Sequence, residues 1–528
     1  MLQIKNLTIT HKKDLKTLIR DFTWALNPGD KAAVIGEEGN GKSTFLKLLY
    51  DPELVEDYVE YSGEILKGGL KLGYLPQELD ERCKSMSLLN YFEESAVFYN
   101  HTYKELARIG KTLDLDPELF YSDQRMGTLS GGEKVKAGMA RILMDDPDVL
   151  LLDEPSNDID LETLTWLEDF IKKCEKPIVY VSHDETLLEN TANVVLHFEQ
   201  LRRKTLPRYT VARTDYGTYV RKRLSKMEHQ AQMARKEESD YKKQQERYRQ
   251  IMQKVEHQQK SISRQDPHGG RLLKKKMHAV KSLGRRMERE HEGMTQLPDT
   301  EDAIMPSWIG DTSIPAGKTV LDFHLDTLYV SKSVQTDPGK GDGAGLYGEP
   351  GRILAENIHL KITGPEKVCI IGPNGSGKTT LLRRIAQELL SRRDIRCVYM
   401  PQNYEDQMDF SITPVDFLES TGEKEAISRV RTFLGTMKYT ADEMFHPIRD
   451  LSGGQKAKLF FVKMILDGAN VLILDEPTRN FSPLSNPVIR QILQEFQGCI
   501  ISISHDRKYI SQVCDHIYRF TPDGLELV

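Results

Sequence analysis

The sequence has few cysteines and no long apolar run. Its six cysteines are scattered and form no Cys-x-x-Cys pair, so we expect reduced thiols and neither a disulfide framework nor a cysteine metal site. No run of about 18 apolar residues is present, which excludes a membrane-spanning helix. Residues 1–13 lack the basic and then apolar pattern of a signal peptide. These absences predict a cytoplasmic chain without membrane insertion.

Apolar residues make up 39% of the 528 residues, a low share that predicts at least one polar segment poor in core residues. The net charge is −6, but residues 221–291 contain 21 lysines and arginines against 9 acids. This segment therefore carries +12 and the remainder −18. An acidic body with one concentrated basic segment predicts a polyanionic partner that this segment contacts.

Four motifs occur twice, in the same order. They are a Gly-rich phosphate loop beginning at Gly36 and Gly372, Leu-Ser-Gly-Gly at Leu129 and Leu451, an apolar run ending in Asp-Glu at Val149 and Val471, and Ser-His-Asp at Ser182 and Ser504. The first pair is 336 residues apart and each of the others is 322 residues apart. Chance does not produce four ordered motifs in register twice, so the chain contains two copies of one domain.

Each copy has the pattern of an α/β fold. An apolar run precedes each phosphate loop, at residues 32–35 and 368–371, and a helical pattern follows each loop. Four further apolar runs lie at residues 149–152, 178–181, 471–474 and 500–503. Continuous apolar runs of this length are typical of parallel strands that are covered on both faces.

The connector between the copies has a different pattern. Apolar residues recur at alternating spacings of four and three from Val220 to Val255, and a second seam of this kind runs from Leu273 to Met294. The segment Asp266-Pro267-His268-Gly269-Gly270 between them breaks helices. We predict an antiparallel helical hairpin whose first helix is ~60 Å long.

The hairpin could serve only as a spacer, since runs of charge are usually solvated helix faces. Near its turn, however, Lys274, Lys275 and Lys276 are clustered with Arg285 and Arg286. A spacer does not require such a cluster, so the pattern favours binding.

The phosphate loops predict two sites for a nucleoside triphosphate. Their glycines let the backbone curl so that several N–H groups point at phosphate oxygens. Lys42 and Lys378 would neutralise the β- and γ-phosphates, and Ser43 and Thr379 would offer hydroxyls to Mg²⁺. The predicted loop residues are Gly36, Glu37, Glu38, Gly39, Asn40, Gly41, Lys42, Ser43 and Thr44, and Gly372, Pro373, Asn374, Gly375, Ser376, Gly377, Lys378, Thr379 and Thr380.

Two pairs of carboxylates, Asp153-Glu154 and Asp475-Glu476, end apolar runs. Each aspartate suits the shell of Mg²⁺, and each glutamate can polarise the attacking water as a general base. Acids at a strand end are common by themselves. The spacing of 23 residues from the Leu-Ser-Gly-Gly serine to the aspartate, which both copies share, makes the prediction specific.

The Ser-Gly-Gly segments form a second anion site at a helix start. We predict that each caps the γ-phosphate held by the opposite copy, so that ATP closes the two copies and hydrolysis releases them. For one isolated motif, a serine N-cap with flexible glycines would be the simpler interpretation. The residues concerned are Ser130, Gly131, Gly132, Glu133, Ser452, Gly453, Gly454 and Gln455.

Four more polar residues follow short apolar runs. Gln77 and Gln402 could contact the γ-phosphate and Mg²⁺, and His183 and His505 could contact the γ-phosphate. One such histidine alone would more often be an ordinary loop residue. The repeated frame of motifs favours a catalytic role.

These motifs, twice in this order, resemble the Walker A, Q-loop, LSGG, Walker B and H-loop motifs of the ATP-binding cassette superfamily. Two cassettes joined by a basic helical linker resemble the ABC-F family over essentially the whole chain. The resemblance implies an α/β fold class with two tandem P-loop ABC ATPase domains, 1–207 and 300–528, joined by an antiparallel α-helical hairpin linker, 208–299. It also implies ATP and Mg²⁺ as cofactors, and ATP hydrolysis as the reaction.

The resemblance implies residue roles as well. Glu154, Glu476, His183 and His505 would be catalytic. The metal ligands would be Ser43, Asp153, Gln77, Thr379, Asp475 and Gln402.

ABC-F proteins bind the ribosome, commonly at the exit-tRNA site, with the linker reaching toward P-site tRNA and the peptidyl-transferase centre. We therefore expect the ribosomal RNA and tRNA of a bacterial ribosome as partners. We also expect a monomer in which the two cassettes pair within one chain. The family includes translation factors and antibiotic ribosomal protection proteins; the compact first cassette and the prominent linker tip resemble the protection branch, and both roles stay open.

Two positions depart from the family pattern. The aspartate that ends the family motif Asp-Glu-Pro-Thr-Asn-His-Leu-Asp is present as Asp160 in the first copy and replaced by Ser482 in the second. The residue after Ser-His-Asp is Glu185 in the first copy and Arg507 in the second. Whether the two sites turn over equally is therefore open.

Two other classes of cassette ATPase fit the sequence less well. The cytosolic ATPase pair of an ABC transporter needs a surface for coupling helices and not a +12 hairpin. DNA-processing cassette ATPases usually carry far longer coiled coils or zinc-binding cysteines, which this sequence lacks.

Overall fold

The computed structural model describes residues 1–201, 205–261, 267–295, 298, 308, 310–331, 350–404, 407–419 and 422–528. Contacts divide the chain into two units. The larger unit consists of Met1–Tyr216 and Glu301–Val528, and the smaller unit is Gly217–Thr300. The larger unit holds both copies of the repeat, which we call the first and second cassettes.

In its described residues, the first cassette combines nine strands with seven α-helices. Its strands are β1 (Leu2–His11), β2 (Thr17–Leu26), β3 (Lys31–Ile35), β4 (Val59–Leu66), β5 (Leu72–Leu75), β6 (Val149–Asp153), β7 (Ile178–Val181), β8 (Val194–Gln200) and β9 (Leu206–Ala212). Its helices are α1 (Lys42–Tyr50), α2 (Glu81–Ser85), α3 (Leu88–Glu93), α4 (Tyr103–Leu113), α5 (Gly131–Met144), α6 (Leu161–Lys173) and α7 (Glu185–Thr191). A six-stranded sheet has the order β5-β6-β7-β3-β8-β9, and a three-stranded sheet has the order β2-β1-β4.

The described part of the smaller unit contains two helices, α8 (Tyr216–Ser261), which begins at the last residue of the larger unit, and α9 (Pro267–Glu292). At 1.5 Å per residue, the 46 residues of α8 extend ~69 Å. Within this unit the contacts run antiparallel. The Thr295 amide donates to Glu237 Oε2 over 2.7 Å, and the rings of Tyr241 and His291 lie 4.2 Å apart.

The seam of the hairpin contains part of the apolar residues that the spacing predicts, whereas Leu224, another predicted position on α8, is exposed. Ala234 and Val255 are buried on α8, and Leu273, Val280 and Met287 are buried on α9. The position of the helix break differs from the prediction. Residues 267–270 form the first turn of α9, because proline is tolerated at a helix start, where its missing N–H would have no partner. Asp266, the other residue of the predicted break, lies outside the described residues.

The second cassette repeats the six-stranded sheet of the first, while its other sheet has two described strands where that of the first has three. Its strands are β10 (Thr319–Ser331), β11 (Pro350–Thr363), β12 (Lys367–Ile371), β13 (Cys397–Met400), β14 (Val471–Asp475), β15 (Cys499–Ile503), β16 (His516–Thr521) and β17 (Gly524–Leu527). Its helices are α10 (Lys378–Leu390), α11 (Pro414–Leu418), α12 (Lys424–Thr436), α13 (Ala441–Phe445), α14 (Gly453–Leu466), α15 (Asn486–Glu495) and α16 (Arg507–Val513). Its six-stranded sheet has the order β13-β14-β15-β12-β16-β17, and β10 pairs with β11.

The predicted α/β class is confirmed in both cassettes. All six predicted apolar runs are strands of the two six-stranded sheets, where they pair in parallel with one another. Every residue of β6 and β14 is buried, which explains why their sequences are continuously apolar and do not alternate. Within the described ranges, none of the helices combines the length and apolar character that crossing a bilayer requires.

The sheets place the motifs at one edge. In an open parallel sheet, ligands bind outside the carboxyl ends of the strands. The first phosphate loop joins the end of β3 to α1, while Asp153 ends β6 and His183 follows β7. The second cassette has the same arrangement at the ends of β12, β14 and β15.

Candidate functional site

Each phosphate loop lies against the opposite cassette. The Gly454 amide of the second cassette donates to Glu38 Oε2 of the first loop over 2.7 Å. In the other direction, Asn374 Nδ2 of the second loop donates to the carbonyl oxygen of Asp158 over 2.6 Å. We call the region around residues 36–44 the first site and the region around residues 372–380 the second site.

Two cavities border these sites and collect many of the predicted residues. A cavity of about 760 Å³ is lined by the second loop at Asn374, Gly375, Gly377, Lys378, Thr379 and Thr380, by Gln402, Asp475, Glu476 and His505, and by Gly131. It also reaches Gln77, Glu154 and His183. A cavity of about 190 Å³ is lined by the first loop at Glu38, Gly39, Lys42 and Ser43, and by Gln77, Glu154 and His183.

The remaining Ser-Gly-Gly residues line neither of these two cavities. Ser130 and Ser452 are N-caps of α5 and α14, and each accepts a hydrogen bond from the amide of the residue three positions on. Glu133 and Gln455 complete capping boxes with these serines, which gives both side chains a structural role at the helix start. Gly132, Gly453 and Gly454 form the first turns of the two helices.

The two loop lysines make the same contacts in both cassettes. Lys42 Nζ donates to the carbonyl oxygen of Gly36 over 2.8 Å, and Lys378 Nζ donates to that of Gly372 over 2.8 Å. Each ammonium group is therefore held at the centre of its loop, where phosphate oxygens would be bound. Burial lowers the pKa of Lys378.

In the first site, a hydroxyl and a phenol hold the strand-end aspartate. Ser43 Oγ donates to Asp153 Oδ1 over 2.8 Å, and Tyr74 OH donates to Asp153 Oδ2 over 3.1 Å. Burial raises the pKa of Asp153 despite these bonds. Sequence reasoning missed Tyr74, which stands in the strand just before Gln77.

Three polar side chains surround Glu154. Gln77 Nε2 donates to its Oε2 over 3.0 Å, Asn157 Nδ2 donates to the same oxygen, and His183 Nε2 lies 3.3 Å from Oε1. Burial alone would raise the pKa of this carboxyl, but the contacts with His183, Lys42 and Asn157 lower it to about 2. Glu154 is therefore ionised and tightly held.

The corresponding Glu476 has a different environment. The His505 amide donates to Glu476 Oε2 over 3.2 Å, and His505 Nε2 lies 3.7 Å from Oε1. Burial and the neighbouring Asp475 raise the pKa of Glu476 to about 8. Burial and the nearby Lys378 lower the pKa of His505 to about 4.

Both glutamates share an unusual backbone conformation. Glu154 has φ 50° and Glu476 has φ 55°, in the left-handed region that glycine favours. Non-glycine residues are held in this region only where the surrounding structure fixes them, and such positions cluster at functional sites.

One substitution changes what lies beside the two glutamates, although Arg479 also lowers the pKa of Glu476 through its charge. Asn157, which donates to Glu154, is replaced at the matching position by Arg479, which instead lies 2.8 Å from Asp158 of the opposite cassette. Neither residue was predicted. Their shared spacing of three residues after the glutamate was the signal available in the sequence.

A second cluster, which we call the ionic clasp, joins the cassettes through Glu168, Glu185, Arg490 and Arg507. Arg490 donates to both carboxylate oxygens of Glu185, over 2.6 and 3.1 Å, and both side chains are 5% exposed. Arg507 Nη1 donates to Glu168 Oε2 over 2.9 Å. Glu168 and Arg490 occupy matching positions of the repeat, as do Glu185 and Arg507, so the two cassettes carry opposite charges at the same two positions.

The donor set at the second site fits a magnesium ion. Asp475 Oδ2 is buried without a hydrogen-bond partner among the residues that the structure describes, and the Thr379 hydroxyl is bonded to the same carboxyl group. Burial raises the pKa of Asp475, so a nearby cation would stabilise the ionised carboxylate. Hydroxyl and carboxylate oxygens are the ligands that Mg²⁺ prefers.

Comparisons with known proteins agree with this geometry. The family described as ABC transporter matches residues 19–157 and 355–479, together half of the chain. The chain is 28% identical to "Ribosome protection protein VmlR" of Bacillus subtilis (strain 168), over 100% of this chain and 88% of that protein. It is 25% identical to "Energy-dependent translational throttle protein EttA" of Haemophilus influenzae (strain ATCC 51907 / DSM 11121 / KW20 / Rd), over 96% of this chain and 90% of that protein.

Among solved structures, the fold is similar to that in a crystal structure of the complex of archaeal ribosomal stalk protein aP1 and archaeal ribosome recycling factor aABCE1. The TM-score is 0.57 at 14% identity, and the match covers 99% of this chain and 89% of that chain. At this identity, the similarity shows that the two chains share a fold.

Proposed function

Since the chain belongs to the ATP-binding cassette family, in its ABC-F branch, and is an ATP hydrolase, we propose that it binds the bacterial ribosome while ATP holds its cassettes closed. Hydrolysis then opens the cassettes and releases the ribosome. The observation that carries the proposal is the combination, in one chain, of paired ATPase sites with a helical hairpin of strongly basic composition.

In this proposal, the site residues have the roles that their positions suggest. Lys42 and Lys378 neutralise the phosphates within the loops, and the opposite Ser-Gly-Gly segments cap the γ-phosphate with helix-start amides. Glu154 and Glu476 polarise the attacking water, and His183 and His505 orient the γ-phosphate. Closure then depends on nucleotide, because a bound triphosphate contacts both cassettes.

Magnesium would be held in each site by a hydroxyl and a carboxylate: Ser43 with Asp153, and Thr379 with Asp475. Gln77 and Gln402 would complete the ligand sets. When bound, the ion would neutralise charge that develops on the β- and γ-phosphates. Gln77 already donates to Glu154, so binding a cation would require its amide to turn its oxygen inward.

The names of the relatives support the ribosome as partner. One relative is named for ribosome protection and another for throttling translation, and the chain aligns with both over at least 96% of its length. A +12 segment suits a partner made of RNA, because lysine and arginine bind phosphates without regard to sequence. We propose that the hairpin reaches toward P-site tRNA and the peptidyl-transferase centre, with domain boundaries at 207/208 and 299/300, and that the protein works in the cytoplasm.

Pairing within one chain is part of the proposal. If the first cassettes of two chains paired with each other, Glu168 of one would face Glu185 of the other. If two second cassettes paired, Arg490 of one would face Arg507 of the other. Like charges facing each other across a buried contact are costly. The clasp therefore favours a first cassette with a second cassette, which a monomer supplies.

The central test uses the double variant Glu154→Gln/Glu476→Gln, which removes both general bases and leaves the loops intact. With ATP and Mg²⁺, this variant should pellet with bacterial ribosomes through a sucrose cushion, and without ATP it should stay in the supernatant. Adding Lys42→Ala and Lys378→Ala should abolish pelleting, because the triphosphate would no longer be held. If the double variant binds ATP but does not pellet, the ribosome proposal is wrong; co-purification with an integral membrane protein would then favour a transporter.

The hairpin is tested separately with Lys274→Gln/Lys275→Gln/Lys276→Gln. All three lysines are exposed, so the change should leave folding intact. Losing three phosphate contacts should make the slope of log affinity against log salt shallower by about 2. Lys242→Gln/Lys243→Gln on α8 is the matched control, since these lysines are paired with Glu238 and Asp240 and should change the slope less. Equal effects of the two variants would argue against a specific contact near the turn.

A further inference from the structure

The first phosphate loop carries two carboxylates that contact the second cassette. Glu37 Oε1 accepts hydrogen bonds from Ser482 Oγ over 2.8 Å and from Ser485 Oγ over 2.7 Å. Its other oxygen lies 3.6 Å from Lys458 Nζ on α14, and its side chain is only 15% exposed. Glu37 is therefore a nearly buried anion whose polar partners in these contacts all come from the opposite cassette.

Glu38 is bound at the start of α14. Its Oε2 accepts from the amide of Gly454, two residues after the N-cap Ser452. The first amides of a helix lack intrahelical partners and favour anions. The Gly454 amide is one of the donors that the proposed function assigns to the γ-phosphate, so a side chain of the protein already engages that donor.

The second site is built differently. Pro373 and Asn374 stand where the first loop has Glu37 and Glu38, and Asn374 donates to the Asp158 carbonyl oxygen. The acid at the second site comes from the opposite cassette instead, as Asp160, whose charge acts on Lys378 and His505. At the position that matches Asp160, the second cassette has Ser482, which is the hydrogen-bond donor to Glu37.

The cavities that the two phosphate loops line also differ, in their volume. The first loop borders the cavity of about 190 Å³, and the second loop borders the cavity of about 760 Å³. Small-molecule sites typically enclose ~300–1,000 Å³, and the cavity that the second loop lines is of that size. It extends to Gln77, Glu154 and His183 of the first site, whose phosphate loop lines the smaller cavity.

We propose that Glu37 and Glu38 are positioning residues that hold the second cassette against the first phosphate loop. The first site is then a holding site, closed by carboxylates of the chain itself, and the second is the site where closure depends on ATP. The inference rests on the proposed nucleotide sites and not on the ribosome as partner.

Charge and hydrogen bonding predict which of the two sites binds ATP more weakly. A γ-phosphate that enters the first site has to take the Gly454 amide from Glu38 and approach a second carboxylate of like charge. A ligand that must displace an existing contact binds with an affinity reduced by the fraction of molecules in which that contact is open. Because charge-assisted hydrogen bonds are among the stronger polar contacts, we expect ATP to bind the first site roughly tenfold more weakly than the second.

The test measures ATP binding to each site alone, by equilibrium dialysis with Mg²⁺ at protein concentrations above and below the dissociation constants. Lys378→Ala leaves the first site to bind ATP, and Lys42→Ala leaves the second. We expect the first site to be the weaker, and Glu38→Gln added to Lys378→Ala to strengthen it roughly tenfold. Glu38→Asp should keep it weak, because the charge remains.

Asn374→Glu added to Lys42→Ala is the mirror control and should weaken the second site. Equal affinities of the two sites, or no gain from Glu38→Gln, would overturn the inference. If the unsubstituted chain binds no ATP, the proposed sites themselves are wrong and the inference falls with them. The ribosome pelleting result affects neither outcome.

A second readout follows the contact directly. Hydrogen exchange of the peptide that contains Gly454 should be faster in Glu37→Gln/Glu38→Gln than in the unsubstituted chain, without nucleotide, since the amide loses its negatively charged acceptor and keeps at most the weaker bond to a neutral amide oxygen. The matching peptide that contains Gly132 should not change. An unchanged Gly454 peptide would contradict the holding role even if the ATP affinities differ.

Discussion

The two cassettes have the same strand order in their six-stranded sheets and the same motifs. Their sites differ in whether the acidic residue belongs to the phosphate loop or to the opposite cassette. At the first site the acids Glu37 and Glu38 belong to the phosphate loop, and at the second site the acid Asp160 belongs to the opposite cassette. In the ionic clasp, the first cassette supplies the glutamates and the second the arginines. A repeat can therefore keep its fold while its two contacts acquire different chemistry.

One departure from the family pattern, Ser482, has a different explanation when both cassettes are considered together. Ser482 replaces the expected aspartate and so looks like a loss when the second cassette is considered alone. Across the contact, however, its hydroxyl donates to Glu37, and an aspartate there would face that carboxylate. At the first site, the acidic residue is therefore supplied by the phosphate loop and not by the opposite cassette. Four predictions test the consequences of this difference between the two sites.

The largest predicted effect is a difference in ATP turnover between substitutions of the two general bases. If the second site carries the turnover, Glu476→Gln should lower kcat for ATP by roughly 10²-fold, since a general base contributes at least that much. Glu154→Gln should lower it by less than about tenfold. Phosphate release at saturating ATP measures both variants. Equal losses would show that the sites share the turnover and would remove the functional side of the comparison.

The clasp should be sensitive to removal of one partner. Arg490→Ala leaves Glu185 buried with Lys508 at 3.1 Å as its remaining partner, and should lower the free energy of unfolding by about 3 kcal/mol. Lys508→Ala is the control and should cost about 1 kcal/mol or less, since its other partner Glu189 is more exposed. Urea unfolding measures both. A loss in Arg490→Ala no greater than in the control would mean that the buried pair contributes little.

The paired glycines at the starts of α5 and α14 should respond unequally. A Cβ on Gly131 would lie 1.8 Å from the carbonyl oxygen of Asp158, which is backbone and cannot move freely. A Cβ on Gly453 would lie 3.3 Å from the flexible carboxylate of Glu38. Gly131→Ala should therefore lower ATP turnover roughly tenfold through misplacement, and Gly453→Ala should lower it less. The reverse order would contradict the described geometry.

The smallest effect concerns pH. Burial alone would raise the pKa of Glu37, but Lys458 and the two serines lower it below its ordinary value of 4.5. Its contribution to stability is therefore complete above pH 4.5 and is lost as the pH falls through the lowered value. The difference in Tm between the unsubstituted chain and Glu37→Gln should be largest near pH 7, worth about 1 kcal/mol, and shrink in acid. A difference that does not change with pH would show that the charge of Glu37 does not matter.

Sequence patterns predicted those features that depend on local physics. The apolar runs that became β6 and β14 are buried on both faces, and this leaves an unbroken signal. The phosphate loops and strand-end acids were predictable from their spacing. The break in the hairpin was misplaced because Pro267 starts a helix as readily as it ends one.

Contacts between distant segments were not predictable. Glu37 and Ser482 are 445 residues apart, so neither residue type reveals the pairing. Glu185 and Arg507 were noticed as departures, but their partners Arg490 and Glu168 became visible only when α6 and α15 were placed in space. Asn157 was missed because its contact with Glu154 depends on the left-handed turn at that glutamate.

The opposite charges that the two cassettes carry in the ionic clasp have a consequence for how the sequences of the two halves evolve. Gene conversion that copied one half of the coding sequence over the other would put Glu168 opposite a glutamate, or Arg490 opposite an arginine. Such a product would have to form a buried contact between like charges. Recombinants of this kind would be selected against, and the halves would keep diverging after the duplication that produced them.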